Sequence, residues 1–284
     1  MDSMVNGIPV HYAQHGTGTP VLALHGGEVD HREITGALEP VFAERPGYRR
    51  IYPDLPGMGR TPAPETIDST DAVLDTLLGL VDDVIGEEAF LVVGHSYGGY
   101  LARAIANRRP GQVAGLALIC SLAGEQVRGD ERPEHVVLRA ADDLDLDGTL
   151  EPAMAAEFRN YLVVQTPETL RRFQETVAPG VALADQAALE RIFARWQLRT
   201  APEQAPVYTN PTLILAGRQD ATVGYAGSWR LLEHYPRATF AVLDHAGHGL
   251  PHEQVGLVTA LMAEWLDRVS EHRAAAVATN DWSQ

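Results

Sequence analysis

Short apolar runs punctuate the chain, most of them closed by glycine or proline. Pro9–Tyr12 reads as a short edge-like strand; Val21–Leu24, Arg50–Pro53, Phe90–Val93 and Val113–Cys120 follow it in the first part, and Thr212–Ala216 and Thr239–Leu243 occupy the last. Continuous apolar runs of this length predict strands buried on both faces of a parallel sheet. Between them the apolar period changes to that of a helix. Asp30 followed by Glu33 resembles a capping box that opens a helix to about Ala43. Over Thr70–Ile85, Val73, Leu77, Leu80, Val81 and Val84 share one helical face. Tyr97–Arg108 is dense in small residues, as a helix lying close on a sheet requires. The alternation predicts an α/β fold with right-handed crossovers.

The pattern breaks after Ser121. From Ala123 to Pro206 helical segments are expected at Pro133–Asp142, Glu151–Val164, Glu168–Val177 and Asp185–Arg199, and no strand. The organisation expected is a core over 1–122, a helical cap over 123–206, a second core part over 207–270 ending in a helix at about Val269, and a flexible tail over 271–284.

Composition removes several chemistries. The net charge is −16, and all 22 basic residues are arginine. Without lysine there is no Schiff-base nucleophile and no phosphate loop ending in Gly-Lys. The acidic excess argues against nucleic acid as a partner. No apolar run has the length of a membrane helix, and the first residues lack the basic start of a signal peptide. The lone Cys120 sits in an apolar run and reads as a buried thiol in a cytoplasmic protein.

The strongest chemical signal is Gly94-His95-Ser96-Tyr97-Gly98-Gly99. It follows an apolar strand and opens the small-residue helix. A serine on so sharp a turn needs small neighbours, and the helix start offers N–H groups to developing negative charge. Ser96 is the candidate nucleophile. Asp220 and His248 each follow a later strand, in the order that such a serine requires of its orienting acid and base. Gly27 and Tyr97 are the candidate oxyanion donors. His25 reads as a structural ring holding its loop. The spacing of His245, His248 and His252 could suggest a metal, but no carboxylate or cysteine pattern supports one, so neither metal nor cofactor is expected.

His25-Gly26-Gly27, Asp54-Leu55-Pro56-Gly57-Met58-Gly59, the Ser96 motif, Gly217-Arg218-Gln219-Asp220 and Ala246-Gly247-His248 occur in that order across nearly the whole chain. Together they resemble the alpha/beta hydrolase superfamily. The resemblance implies a mostly parallel eight-stranded sheet with helices on both faces, a cap inserted after the sixth strand, and the Ser96–Asp220–His248 triad. It makes the Asp54 segment a structural turn. Relatives with an aspartate nucleophile (haloalkane dehalogenases, epoxide hydrolases) differ at Ser96. Proline iminopeptidases differ at Glu28-Val29, and hydroxynitrile lyases need a lysine.

The expected activity is serine-dependent hydrolysis of a small carboxylic ester, lactone or related carbonyl compound through an acyl-enzyme. A carbon–carbon hydrolase, a lyase acting on a natural-product intermediate through His248, and a ligand-binding receptor that kept the triad stay open. Glu28, Tyr161, Trp196, Val223 and Leu250 are the candidate substrate contacts. The stretch Asp142–Asp147 reads as a solvated linker between cap helices. The oligomeric state is left open.

Overall fold

A computed structural model describes residues 1–122 and 132–281. Its main sheet is built from β1 (Asp2–Val5), β2 (Ile8–His15), β3 (Thr19–Leu24), β4 (Tyr48–Pro53), β5 (Phe90–His95), β6 (Val113–Ile119), β9 (Thr212–Gly217) and β10 (Ala238–Leu243). These eight strands lie in the order β1-β2-β4-β3-β5-β6-β9-β10. The β1–β2 and β2–β4 pairs are antiparallel, and the remaining pairs are parallel. β1 gives no apolar run. Alternate residues of Asp2–Val5 are exposed, as on a half-covered edge strand.

Strand pleating sends alternate residues to two cores. Leu22, Leu24, Val92, Leu116 and Leu118 face α2 (Thr70–Val84) and α3 (Ser96–Arg108). Val21, Ala23, Leu91, Val93 and Ala117 face α1 (His31–Phe42) and α10 (Val255–Asp281). Burying both faces is what the continuous apolar runs require. The chain therefore adopts the α/β architecture expected, with helices on both sides of the sheet.

Between β6 and β9 lies a largely helical insertion. Its described elements are β7 (Arg139–Ala140), α4 (Pro152–Tyr161), β8 (Val164–Gln165), α5 (Pro167–Arg172), α6 (Ala178–Val181) and α7 (Gln186–Phe193). Its Leu146, Ala155, Phe158, Leu162, Leu170, Phe173 and Val177 form an apolar cluster that also takes in Val29 from the loop after β3. The first residues of the expected cap, 123–131, lie outside the described residues.

The structure corrects several local expectations. Pro133–Asp142 is not a helix. Its Val136-Val137-Leu138 run has no regular secondary structure and leads into β7, which pairs in parallel with β8, so the insertion does contain strand. The helix expected to stop at Val177 continues through a π-type turn over Phe173–Val177 into α6. The wider turn accommodates Pro179, which has no N–H to give. The aspartates of the acidic stretch are exposed, as a solvated linker requires, while Leu146 among them is buried in the cap cluster. Asp30 does cap α1 through the Arg32 N–H, but Glu33 does not complete a box, because it turns into the protein interior. The last helix runs to Asp281, well past Val269 into the segment expected to be a flexible tail. Residues 282–284 lie outside the described residues. A short α8 (Ala226–Arg230) and α9 (Leu250–Glu253) complete the elements used below.

Candidate active site

Ser96 stands at the junction of β5 and α3 with φ +52°. A non-glycine residue in this region costs about 1–3 kcal/mol, a strain carried here by tight packing around the turn. A Cβ on Gly94 would fall 2.3 Å from the Gly98 carbonyl oxygen, and one on Gly98 would fall 2.4 Å from the carbonyl oxygens of Leu24 and His25. These contacts explain why small residues flank the serine. Gly98→Ala should therefore lose about 2–3 kcal/mol of stability, read as a lowered urea midpoint, because the obstructing atoms are sheet backbone that cannot rotate away.

Asp220 and His248 follow β9 and β10, and both strand ends bring them to Ser96. His248 Nε2 lies 2.9 Å from Ser96 Oγ, and His248 Nδ1 lies 2.9 Å from Asp220 Oδ2. A carboxylate only accepts, so Nδ1 carries the proton and Nε2 is free to accept from the serine hydroxyl. Asp220 is fully buried, and its second oxygen accepts the N–H groups of Thr222 and Val223, each at 2.9 Å. Burial pushes its carboxyl up, but His248 and the two N–H groups outweigh this and hold it below the usual carboxylate range.

The floor beneath this chain is polar. His25 accepts the Leu55 N–H at Nε2 (3.0 Å), which leaves Nδ1 to donate to the Gly26 carbonyl at 2.7 Å. It thus ties its loop to the Asp54 turn, as expected of a structural ring. Asp54 accepts the backbone and ring N–H groups of His31 and the Arg60 N–H. Burial raises its carboxyl, but these donors win and bring it to about 2.

His95 Nε2 sits 3.0 Å from the His248 carbonyl oxygen, and its Nδ1 sits 3.1 Å from Glu33 Oε1. Burial would lower the His95 ring, but the Glu33 charge prevails and raises it. Burial would likewise raise Glu33, whose carboxyl is instead held well below its ordinary range by His95 and His252. A buried ion pair therefore lies under the backbone of the histidine loop. The sequence pattern hid it, because Glu33 looked like a helix cap.

A cavity of about 500 Å³ opens above Ser96 and His248. Gly27, Glu28, Tyr97, Tyr161, Trp196 and Val223 line it. Leu250 does not line it. It is fully buried in the core beside α10, because α9 turns it away from the opening. Glu157, Asn160, Val177, Val181 and Phe193 also line the cavity and were not foreseen. Helix periodicity was the available signal. Glu157 is four residues before Tyr161 on α4, and Phe193 is three before Trp196, whereas Asn160 directly precedes Tyr161 and no helical period points to it. Arg218 stacks on Tyr225, its guanidinium carbon 4.6 Å from the ring centre, and does not line the cavity. Desolvation at the wall raises the Glu157 carboxyl, the Glu28 charge adds to this, and His248 opposes it.

The described residues contain two groups that could gather a metal: His11, His31 and Asp54, whose members already bond Asp2, the His31 N–H groups and the Arg60 N–H, and His95, Cys120 and His248. His248 already engages Asp220 and Ser96, and burial pushes the Cys120 thiol well above its ordinary value, with Asp220 adding to it. These contacts fit a proton relay better than an ion.

The family pattern described as alpha/beta hydrolase fold matches residues 19–254. The chain belongs to that family. Lipase LipV of Mycobacterium tuberculosis is 39% identical over 269 residues, covering 90% of this chain and 97% of the relative. A 2-hydroxymuconate semialdehyde hydrolase of a Pseudomonas species is 28% identical, covering 95% of this chain and 94% of the relative. Among solved structures, an alpha/beta superfamily hydrolase from Oenococcus oeni is 27% identical with a TM-score of 0.84, covering 95% of this chain and 99% of that one. The protein is a hydrolase of this family acting on small molecules. No described helix is long and apolar enough to cross a membrane.

Proposed function

We propose that the protein is a serine esterase that hydrolyses a small, uncharged carboxylic ester or lactone through an acyl-enzyme. The observation that carries this is the hydrogen-bonded chain from Asp220 through His248 to Ser96 at the floor of the cavity. Ser96 Oγ attacks the carbonyl carbon while His248 Nε2 takes its proton. The negative oxygen that results is held by the N–H groups of Tyr97 and Gly27. Tyr97 lies in the first turn of α3, where N–H groups have no helical acceptor, and Gly27 stands beside it at the cavity wall. His248 then returns the proton to the departing alcohol, and water repeats the sequence on the acyl-enzyme.

The cap insertion between β6 and β9, within residues 123–206, closes the site in this reading. Its test is a fluorophosphonate probe with p-nitrophenyl butyrate as substrate. A single labelled peptide containing Ser96, with turnover lost in step, supports the esterase. Labelling without turnover supports a receptor, and labelling elsewhere overturns the nucleophile.

The similarity to a 2-hydroxymuconate semialdehyde hydrolase keeps carbon–carbon cleavage as a second reading. The same Ser96 and His248 would serve it. A muconate carries a carboxylate, and the described lining of this cavity offers two glutamates, Glu28 and Glu157, and no arginine. Like charges in a partly desolvated cavity repel. Wild-type kcat/KM should therefore be about tenfold lower for p-nitrophenyl hemisuccinate than for the butyrate, a gap of about 1.4 kcal/mol. The Glu28→Gln/Glu157→Gln double variant should narrow that gap. Ready turnover of 2-hydroxymuconate semialdehyde by the wild type would reverse the order of the two readings.

A further inference from the structure

Glu253 ends the short helix that follows His248, and no step of the reaction uses it. Its side chain is nevertheless engaged at both oxygens. Oε1 accepts the N–H groups of Val163 (2.6 Å) and Val164 (2.9 Å), where the cap chain passes from α4 into β8. Oε2 accepts the N–H of Gly247 (2.7 Å), the residue before His248. One carboxylate thus joins cap backbone to catalytic-loop backbone. Burial lifts it to about 7, although the three N–H groups pull it down.

Other contacts tighten the same seam. The Gly249 N–H donates to the Tyr161 carbonyl at 3.3 Å. A Cβ on Gly249 would fall 2.4 Å from Leu162 Cδ2. The Tyr161 ring meets the His248 ring edge-on, with centroids 6.1 Å apart. From this arrangement we infer that Glu253 is a positioning residue: it locks the His248 loop to the cap, so that the cap wall and the base move as one body. The inference rests on the serine-esterase reading for its effect on rate, but the lock itself does not depend on it.

Glu253→Gln keeps the shape and loses one acceptor. The amide oxygen can serve the two cap N–H groups, which leaves the NH₂ facing the Gly247 N–H, donor against donor. Assayed at pH 8.5, where the wild-type carboxylate prevails, the variant should lower kcat for p-nitrophenyl acetate about 10–100-fold with KM changed less than about threefold. That substrate is too small to need the cap, so a merely structural cap defect would leave its kcat alone. The second measurement is amide hydrogen exchange on the wild-type protein. Gly247, Val163 and Val164 should open as one unit with a common protection factor. In the variant all three should lose protection together.

A folded Glu253→Gln protein with kcat within twofold of wild type would overturn the proposal. So would a Gly247 amide that opens independently of Val163 and Val164 in the wild type. Failure of the esterase reading is seen separately, as absence of fluorophosphonate labelling at Ser96 while the exchange result stands.

Discussion

Ser96→Ala protein should turn over p-nitrophenyl butyrate at least about 10⁴-fold more slowly than wild type while keeping the same melting temperature. The substitution removes the attacking oxygen and nothing that holds the turn together. The strain at φ +52° is set by the backbone around Gly94 and Gly98, and alanine tolerates that region no worse than serine. Residual rate would come from Gly27, Tyr97 and His248, which still bind and polarise a carbonyl. The measurement is kcat by stopped assay, alongside a thermal melt and probe labelling. Retained turnover of a native substrate in this variant would instead favour the eliminating lyase, in which His248 acts as base without a covalent serine step.

Asp220→Asn should cost nearly as much, about 10⁴-fold in kcat near neutral pH, through a change of tautomer. The direction follows from the hydrogen bonds. One Asp220 oxygen accepts the N–H groups of Thr222 and Val223, so in the variant that place must be taken by the amide oxygen. The amide NH₂ then faces His248 Nδ1, which must become the acceptor, and the ring proton moves to Nε2. A protonated Nε2 cannot take the Ser96 proton. NMR of the imidazole nitrogens should show the exchanged tautomer directly. A variant with wild-type rate and wild-type tautomer would remove Asp220 from the relay.

Much of this site could be read in the chain because strand ends and glycine turns leave plain marks. Ser96, Asp220 and His248 each follow an apolar run, and parallel strands put such ends on one edge of the sheet. Side chains that act at a distance leave no such mark. Glu33 sits where a capping residue would, and only packing shows it turned toward His95. Leu250 is next but one to His248 in sequence, but α9 turns it into the core. In the cap, Tyr161, Trp196 and Phe193 are legible as large aromatics, Glu157 requires the helical phase to be carried back from Tyr161, and Asn160, directly before Tyr161, has no such signal. The strand β7 was masked by its shortness and by the acidic stretch that follows it.

The apolar cluster of the cap, which touches the core through Val29, gives the cavity one yielding wall and one fixed wall. Val177 belongs to that cluster, and Tyr161 and Val181 pack on it. Phe193 and Trp196, on the other side, pack on the core beneath α2 and α3. Random substitution at Val177 and Val181 is therefore an inexpensive way to evolve new substrate scope, since losses there fall on the cap cluster and the Val29 loop rather than on the sheet. Libraries at Phe193 and Trp196 would return mostly unfolded protein, because each change there is transmitted to the sheet. Selection for new esters should accumulate changes along the α6 side and spare the α7 side.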